Sequence, residues 1–154
     1  MRKKFMHILA IMFFTSWSVG SLFAQSHKAD DIVGTWLNEE KTGKVQIFKV
    51  SGKYYGKLVW LKEPNDKVTG KPRTDIENPD PSLKNTPLIG LVNLKGFEFN
   101  GKDEWKDGTI YDPKNGKTYS CYIKFDSPDI LKIRGYIGVS LIGRTTLWSR
   151  SEHP

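Results

Sequence analysis

The chain has 154 residues, with 24 Lys and Arg against 17 Asp and Glu, a formal net charge of +7 and one cysteine. This length suits one domain and is too short for two ordinary ones. A single cysteine excludes an intramolecular disulfide and a thiolate metal site, and the three histidines lie near the chain ends, at positions 7, 27 and 153. Serine and cysteine catalysis with a histidine base, and histidine-rich zinc sites, therefore lose their key residue in the predicted folded body. We predict a protein that is not an enzyme and needs no cofactor.

Residues 1–24 are typical of a cleaved secretory signal peptide. Positions 2–4 are basic, positions 5–14 are apolar apart from one histidine, and positions 22–24 offer a cleavage site. The apolar stretch is shorter than the roughly 20 residues that cross a bilayer, which favours export over a retained membrane span. Cleavage leaves 154 − 24 = 130 residues, with 21 Lys and Arg against 17 Asp and Glu, a charge of +4. The remaining lysines are interspersed with acids, which argues against nucleic-acid binding.

The next segment predicts a short flexible lead, residues 25–31, followed by a β-domain over residues 32–151. From Gly34 onward, apolar residues alternate with period two between glycine-bearing turns, which is typical of strands. The first three strands are expected at 36–40, 45–50 and 54–61. In the third, Tyr54, Gly56, Leu58 and Trp60 are expected on one face.

Residues 63–87 interrupt this pattern with five prolines. Such a proline density excludes the interior of a sheet, and long irregular connections inside a domain are usually functional loops. Residues 75–81 are rich in side chains that bond to nearby backbone, which indicates an ordered turn. We expect this loop to be a lid or plug over one end of the domain.

The remaining chain predicts five more strands, at 88–94, 105–111, 117–125, 130–137 and 144–150. Turns are expected at Gly96, at Asn100-Gly101, at Asp107-Gly108 and at the 112–117 hairpin. About eight strands predict an all-β, single antiparallel up-and-down barrel. Closure of such a barrel makes the first and last strands neighbours, which brings Trp36 near Trp148 and Arg150.

These elements carry a series of short ordered motifs along nearly the whole exported part of the chain. They are Gly34-x-Trp36, Tyr55-Gly56, Asn78-Pro79-Asp80, Pro87-Leu88-Ile89-Gly90-Leu91, Trp105-x-x-Gly108-x-Ile110-Tyr111-Asp112-Pro113, Gly116-Lys117-Thr118-Tyr119, Leu131-x-x-Arg134-Gly135-Tyr136-x-Gly138 and Trp148-x-Arg150. The series resembles the bacterial family filed as domain of unknown function 2147. The resemblance implies small lipocalin-like barrels exported to the periplasm of Gram-negative bacteria, and it implies no particular activity. The Gly-x-Trp opening with a late arginine is also similar to the signature of the lipocalin and fatty-acid-binding superfamily. That similarity gives Trp36 the aromatic role and Arg150 or Arg144 the cationic role in a contact that closes the barrel floor.

Other polar groups favour structural roles. Cys121 lies on the apolar stripe of strand 117–125 and is interpreted as a buried structural thiol. The carboxylates of the long loop and of the later turns do not have the spacing of a calcium-binding loop, and nothing in their spacing requires a pair of facing glycosidase carboxylates. We interpret them as turn formers and solvated charges. They are Asp75, Glu77, Asp80, Asp103, Glu104, Asp107 and Asp112.

Aromatic and cationic side chains are the richer feature, and they leave two hypotheses open. Arg134, Arg144 and Arg150 are expected on one even-numbered face of the last two strands, with Tyr136 and Trp148. An interior arginine would receive a carboxylate or phosphate from an amphiphile, or would instead pair with a carboxylate or loop carbonyls as part of a structural network. The candidate ligand-binding residues are Arg134, Arg144, Tyr136, Tyr111, Tyr119, Trp60, Trp105 and Asn78.

The first hypothesis is an exported binding protein for a small, partly apolar, anionic ligand. The second is a structural or interaction module of the cell envelope without a cavity. Its envelope protein partner would contact the loop 63–87 or an outer face that carries Tyr55, Val59 and Leu61.

Overall fold

The computed structural model describes residues 27–152 as a closed antiparallel barrel in which each strand pairs with the next and the eighth pairs with the first. The predicted signal peptide, residues 1–24, lies outside these described residues. The strands are β1 Gly34–Leu37, β2 Gly43–Val50, β3 Lys53–Leu61, β4 Val92–Phe99, β5 Glu104–Asp112, β6 Lys117–Ser127, β7 Ile130–Tyr136 and β8 Gly143–Ser151. There are two short 3₁₀ helices within these residues. Ala29–Ile32 precedes β1, and Pro81–Leu83 lies in the connection between β3 and β4. Within residues 27–152, no helix is long and apolar enough to cross a membrane. The up-and-down barrel is confirmed.

The first and last strands meet through Trp36 and Arg150. These two residues are register partners in the β1–β8 pair, and the Arg150 guanidinium carbon lies 4.2 Å from the centroid of the Trp36 ring. The guanidinium also donates to the Asp31 carbonyl oxygen at 2.9 Å and to the Val33 carbonyl oxygen at 3.5 Å. Arg150, and not Arg144, is therefore the cation of this contact, and it fixes the segment that precedes β1.

The N-terminal 3₁₀ helix covers this end of the barrel. The Trp36 indole donates to the Ile32 carbonyl oxygen at 2.9 Å, and the Trp105 indole donates to the Ala29 carbonyl oxygen at 3.0 Å. Residues 29–31 were expected in a flexible lead, but these bonds and the complete burial of Ile32 hold them in a helix. His27, expected at a frayed end, stacks on Phe125 with ring centroids 4.3 Å apart. This closed end is filled by large buried side chains, which include Ile47, Tyr54, Leu94, Phe97, Ile123 and Leu131.

Several strands contain β-bulges where the sequence predicts turns or regular alternation. Gly96 and Asp107, both at positive φ, lie inside β4 and β5 beside register shifts, whereas Asn100-Gly101 lies in the β4–β5 connection as predicted. A residue at positive φ can serve a bulge as well as a turn, so the composition did not distinguish the two. β4 accordingly begins at Val92 and runs through Gly96, instead of spanning 88–94.

A further bulge reverses the faces at the end of β3. Lys44 pairs with Trp60 and Val45 pairs with Leu58, so Val59 is an extra residue on β3. Alternation predicts Trp60 on the face of Leu58, but the extra residue turns Trp60 outward, where Lys44 Nζ lies 5.5 Å from its ring centroid. Leu61, predicted on the outer face, turns inward instead.

Candidate functional site

The end of the barrel opposite Trp36 contains an open cavity of about 740 Å³. The β1–β2, β5–β6 and β7–β8 turns and the β3–β4 connection surround its mouth. Its walls are mainly apolar and are formed by Val45, Leu58, Leu61, Leu88, Ile110, Ile133 and Trp148. Volumes of about 300–1,000 Å³ with such walls are typical of small-molecule sites. The barrel is thus filled at one end and open at the other.

Charged side chains form the rim of the cavity. Glu40 pairs with Lys114 at 2.5 Å and with Arg144 at 3.6 Å, and the Arg144 side chain remains 79% exposed. The hydrogen bond from Lys114 is the main cause that lowers the pKa of Glu40. Lys62 and Arg73 also line the cavity, and neither has an ion-pair partner within 4 Å among residues 27–152. These two cations are the ones most available to a bound anion.

The long connection between β3 and β4 forms one side of the mouth. It is held by isolated bridges between Asn65 and Pro72 and between Thr74 and Pro87. Arg73, between the two bridges, and Leu88, after them, both line the cavity. The loop that the sequence predicts as a lid or plug therefore lies beside the opening.

A buried carboxylate ties this connection to the barrel. Asp75 is fully buried and accepts hydrogen bonds from the Tyr111 hydroxyl and from Asn78 Nδ2, both at 2.7 Å. Burial, and next the hydrogen bond to Asp75, raise the pKa of Tyr111 to about 12. Because a buried carboxylate is costly without donors, this pair positions the loop on β5.

We expect Tyr111→Phe to lower the free energy of unfolding by about 1–3 kcal/mol at pH 7, because Asp75 loses one of its two side-chain donors. The folded pKa of Tyr111, about 12, lies above its ordinary 10.0, so this residue's contribution is complete below pH 10 and is lost as the pH rises toward 12. The stability difference between wild type and variant should therefore shrink between pH 10 and 12. Urea unfolding at pH 7 and pH 11 measures it.

Tyr119→Phe is the matched control for this measurement. Tyr119 also lines the cavity, but its hydroxyl only accepts a hydrogen bond from the exposed Asn115 amide at 3.1 Å. Its loss should cost less than about 1 kcal/mol, with little dependence on pH. Equal losses for the two variants would show that the Asp75 contact does not hold the loop.

The structure corrects the expected position of Arg134. Leu131 pairs with Trp148 and Arg134 with Thr145, so odd residues of β7 share a face with even residues of β8. Arg134 therefore lies on the outer face, where it donates to the Ser140 and Leu141 carbonyl oxygens at 2.6 and 3.2 Å and to Thr145 Oγ1 at 2.9 Å. Arg134 therefore holds the β7–β8 turn. This matches the alternative in which the arginine bonds loop carbonyls in a structural network and does not bind a ligand.

The other candidate residues divide between the cavity and its surroundings. Four line the cavity, namely Arg144, Tyr136, Tyr111 and Tyr119, and Trp148, which was predicted for the closure of the barrel, lines it as well. Trp60 lies on the outer surface, Trp105 belongs to the closed-end core, and Asn78 supports Asp75 from within the loop. The structure thus brings together part of the predicted set.

Several cavity residues were not found from the sequence, among them Lys62, Arg73 and Asn93. Arg73 is hidden in the proline-rich loop, whose path no periodicity predicts. Asn93 lies in the cavity wall and is only 7% exposed. The signal that could have identified it is its position as the polar residue inside the apolar run 88–94.

Nucleophilic and metal-binding groups are not gathered at this site. Cys121 is buried in the core, and burial raises the pKa of its thiol to about 12, which keeps it protonated and unreactive at neutral pH. Within residues 27–152, no group of three or more His, Cys, Asp and Glu side chains is arranged to hold a metal ion.

Comparisons with known proteins agree with this architecture. Protein HP1028 from the human pathogen Helicobacter pylori, described as a member of the lipocalin family, is similar over 78% of this chain and 82% of its own, with 26% identity and a TM-score of 0.68. Among curated proteins, none matches the chain. Residues 34–150 match the family described as "Uncharacterized protein conserved in bacteria (DUF2147)". The chain, whose eight strands form a complete barrel with a cavity at one end, therefore belongs to the DUF2147 family of bacterial proteins.

Proposed function

We propose that this protein is exported to the periplasm of a Gram-negative bacterium and there binds a small, partly apolar ligand with an anionic end, without catalysis. The observation that carries the proposal is the open cavity of about 740 Å³ in a barrel whose other end is filled. The similarity to a lipocalin-family structure supports it, because lipocalin-type barrels of eight strands can hold one small ligand.

The apolar part of the ligand would contact the cavity walls. Leu58, Ile133 and Trp148 approach from three strands and offer no charged group. Each methylene that moves from water into such surroundings contributes about 0.8 kcal/mol. An acyl chain or a comparable hydrocarbon body of modest length is therefore the fitting partner for these walls.

The anionic end would lie at the mouth. Arg73 and Lys62 line the cavity without an ion-pair partner within 4 Å among the described residues, and Arg144 shares Glu40 with Lys114. A guanidinium can receive a carboxylate or phosphate through two parallel hydrogen bonds. Glu40 and Glu63 at the same rim limit how much negative charge the mouth accepts, which favours a ligand with a single anionic group.

The alternative of an envelope module depends on a filled interior. The cavity removes that premise, and Leu61 no longer contributes to the outer face that such a module would present. The exposed apolar side chains of the β7–β8 turn are a feature that a protein partner could contact. They are Ile137, Val139, Leu141 and Ile142. Two of them, Ile137 and Ile142, also line the cavity, where contact with an entering ligand explains their exposure equally well.

The binding proposal predicts that dodecanoic acid quenches or shifts the tryptophan fluorescence of the wild type, because Trp148 lines the cavity. Thr146→Phe places a ring in the cavity and should weaken binding at least about tenfold, whereas Leu147→Phe, on the neighbouring outward position, should not. Native mass spectrometry of protein purified from the periplasm would identify a ligand that co-purifies. Equal binding to both variants, or no binding of any amphiphile to the wild type, would contradict the proposal.

Export has its own test. Expressed with its full N-terminal sequence in a Gram-negative host, the protein should appear in the periplasmic fraction with Gln25 as its first residue, and replacing Arg2, Lys3 and Lys4 with glutamate should retain it in the cytoplasm. An uncleaved protein in the cytoplasm of the wild-type strain would contradict export.

A further inference from the structure

Two apolar side chains at the tip of the β7–β8 turn are exposed for a reason that the cavity does not supply. Ile137 and Ile142 line the cavity, but Val139 and Leu141, which lie between them on the turn, do not. Leu141 is 88% exposed and Val139 is 58% exposed. Single exposed apolar residues are normal on a protein surface, but four on one short turn are typical of an interaction site. The tip therefore calls for a partner other than the ligand of the cavity.

The backbone carbonyls of this turn have their donors within the protein. Two amide-to-carbonyl hydrogen bonds inside the turn, of 3.0 and 3.1 Å, use the carbonyl oxygens of Val139 and Ile142. The Arg134 guanidinium donates to the two carbonyl oxygens between them, those of Ser140 and Leu141, at 2.6 and 3.2 Å. In water an exposed turn does not need such donors. The hydrocarbon boundary of a bilayer supplies none, so a turn that reaches it has to satisfy its carbonyls internally.

Basic groups accompany the apolar tip. Residues 130–151, which comprise β7, the turn and β8, contain lysine or arginine at positions 132, 134, 144 and 150 and no Asp or Glu. The side chain of Arg144, directly beside the turn, is largely exposed. The carboxylates at the rim of the cavity lie on the other turns, and Glu40 and Glu63 among them pair with lysines. This side of the mouth therefore presents cations and apolar groups together, which complements an anionic lipid surface.

The β3–β4 connection brings a second apolar tip to the same end of the barrel. Val68 is 93% exposed in the hairpin 65–72, with a lysine on either side of it. The chain leaves the rim and returns to it on the two sides of this hairpin, since Glu63 and Arg73 both line the cavity. Two separate tips on the rim of an open mouth do not form the broad continuous face that a stable protein partner buries. A bilayer accepts separate tips, because each needs only the acyl boundary.

We infer that the β7–β8 turn, with Val68 as a second contact, inserts into the surface of an anionic phospholipid bilayer, so that the mouth of the cavity faces the lipid. Apolar side chains at the acyl boundary and basic groups at the headgroups are the two contributions that hold a protein to such a surface. The contact goes beyond ligand binding and does not rest on it, because Val139 and Leu141 lie outside the cavity. An amphiphile in the bilayer would have a short path from the lipid to the mouth.

The test measures flotation of the protein with vesicles of equal parts dioleoylphosphatidylglycerol and dioleoylphosphatidylcholine. The wild type should bind these vesicles, lose affinity as the salt concentration rises, and bind vesicles of dioleoylphosphatidylcholine alone more weakly. Val139→Ser combined with Leu141→Ser should weaken binding at least about tenfold, because two apolar side chains no longer enter the acyl boundary.

The matched control removes the same two residue types elsewhere on the barrel. Val50→Ser combined with Leu147→Ser replaces an exposed valine next to the β2–β3 turn, at the closed end, and an exposed leucine inside β8. This variant should bind the vesicles as the wild type does. All proteins in the comparison share the same N-terminal sequence, so any contribution of residues 1–24 is equal in each.

A second measurement locates the contact. Cys121 is the one cysteine of the chain and is buried, so Leu141→Cys supplies an accessible thiol for a polarity-sensitive fluorophore. The emission of this label should move to shorter wavelength when anionic vesicles are added, whereas the same label at Leu147→Cys should not respond. Vesicle binding without a response at position 141 would show that another surface holds the lipid and would overturn the inference.

The outcomes separate this inference from the proposed function. If the wild type binds dodecanoic acid but no vesicles, or if the serine variant of the turn binds vesicles as tightly as the wild type, only the inference fails, and the exposed turn is left to a protein partner. If the turn binds vesicles but no amphiphile enters the cavity, the inference stands and the proposed function fails. The serine variant should still bind dodecanoic acid with the affinity of the wild type, since neither substituted side chain lines the cavity.

Discussion

Replacing Trp36 with alanine is expected to lower the free energy of unfolding by about 3–5 kcal/mol, a large share of the roughly 5–15 kcal/mol of a typical domain. The substitution removes a fully buried indole, its hydrogen bond to the Ile32 carbonyl oxygen at 2.9 Å and the ring that the Arg150 guanidinium faces at 4.2 Å. The hydrogen bond joins β1 to the 3₁₀ helix that covers the closed end, and the contact with Arg150 joins β1 to β8. Urea unfolding followed by circular dichroism measures the loss.

Trp60→Ala provides the matched control for this substitution. Its indole lies on the outer surface, and Lys44 Nζ lies 5.5 Å from the ring centroid, a contact worth about 0.5–1 kcal/mol at an exposed site. Because the Trp60 side chain is half-buried, the expected loss is about 1–2 kcal/mol, which is still below the loss expected for Trp36. Similar losses for the two tryptophans would show that the contact between the first and last strands does not contribute the stability assigned to it.

Gly116→Ala is expected to cost about 2–5 kcal/mol and to detach the β3–β4 connection from the barrel. A Cβ at this position would lie 1.9 Å from the Glu77 carbonyl oxygen, and the backbone of Gly116 has φ +69°. The conformational penalty is about 1–2 kcal/mol, and relief of the overlap adds about 1–3 kcal/mol because a backbone carbonyl must move. Urea unfolding gives the loss, and limited proteolysis of the connection reports its detachment.

Gly101→Ala separates these two contributions. Gly101 has φ +83°, but a Cβ there meets no atom within 4 Å, so this variant carries the conformational penalty alone. The difference between the two variants measures the contact between the connection and the β5–β6 hairpin. If both variants lose the same stability and resist protease equally, the connection does not rest on the hairpin.

The sequence was sufficient for the barrel and its closure because both depend on local alternation and on two conspicuous terminal motifs. Trp36 could be paired in advance with an arginine of the last strand, since closure of an up-and-down barrel necessarily joins its first and last strands, but the structure was needed to choose Arg150 over Arg144. The open end could be expected too, but only as one of two alternatives, because alternation does not tell whether an interior is filled.

The inward or outward orientation of individual side chains could not be predicted. One extra residue in β3, Val59, moves Trp60 outward, and one extra residue in β4, Asn93, brings a polar side chain inward. The length of the β7–β8 turn fixes a register that puts Arg134 outside. A shift of one residue reverses every face after it, so a correct strand assignment can still give an incorrect site.

The pairing of β8 with β1 has a consequence for how the protein acquires its shape during synthesis. The two partners in the Trp36–Arg150 contact are separated by almost the whole length of the barrel, so the closed end cannot be completed on the ribosome before the eighth strand has been translated. Until then the nascent chain keeps two unpaired strand edges, and late long-range pairing of this type makes folding slow. A chain with this topology therefore closes late, and late closure would suit the export proposed above.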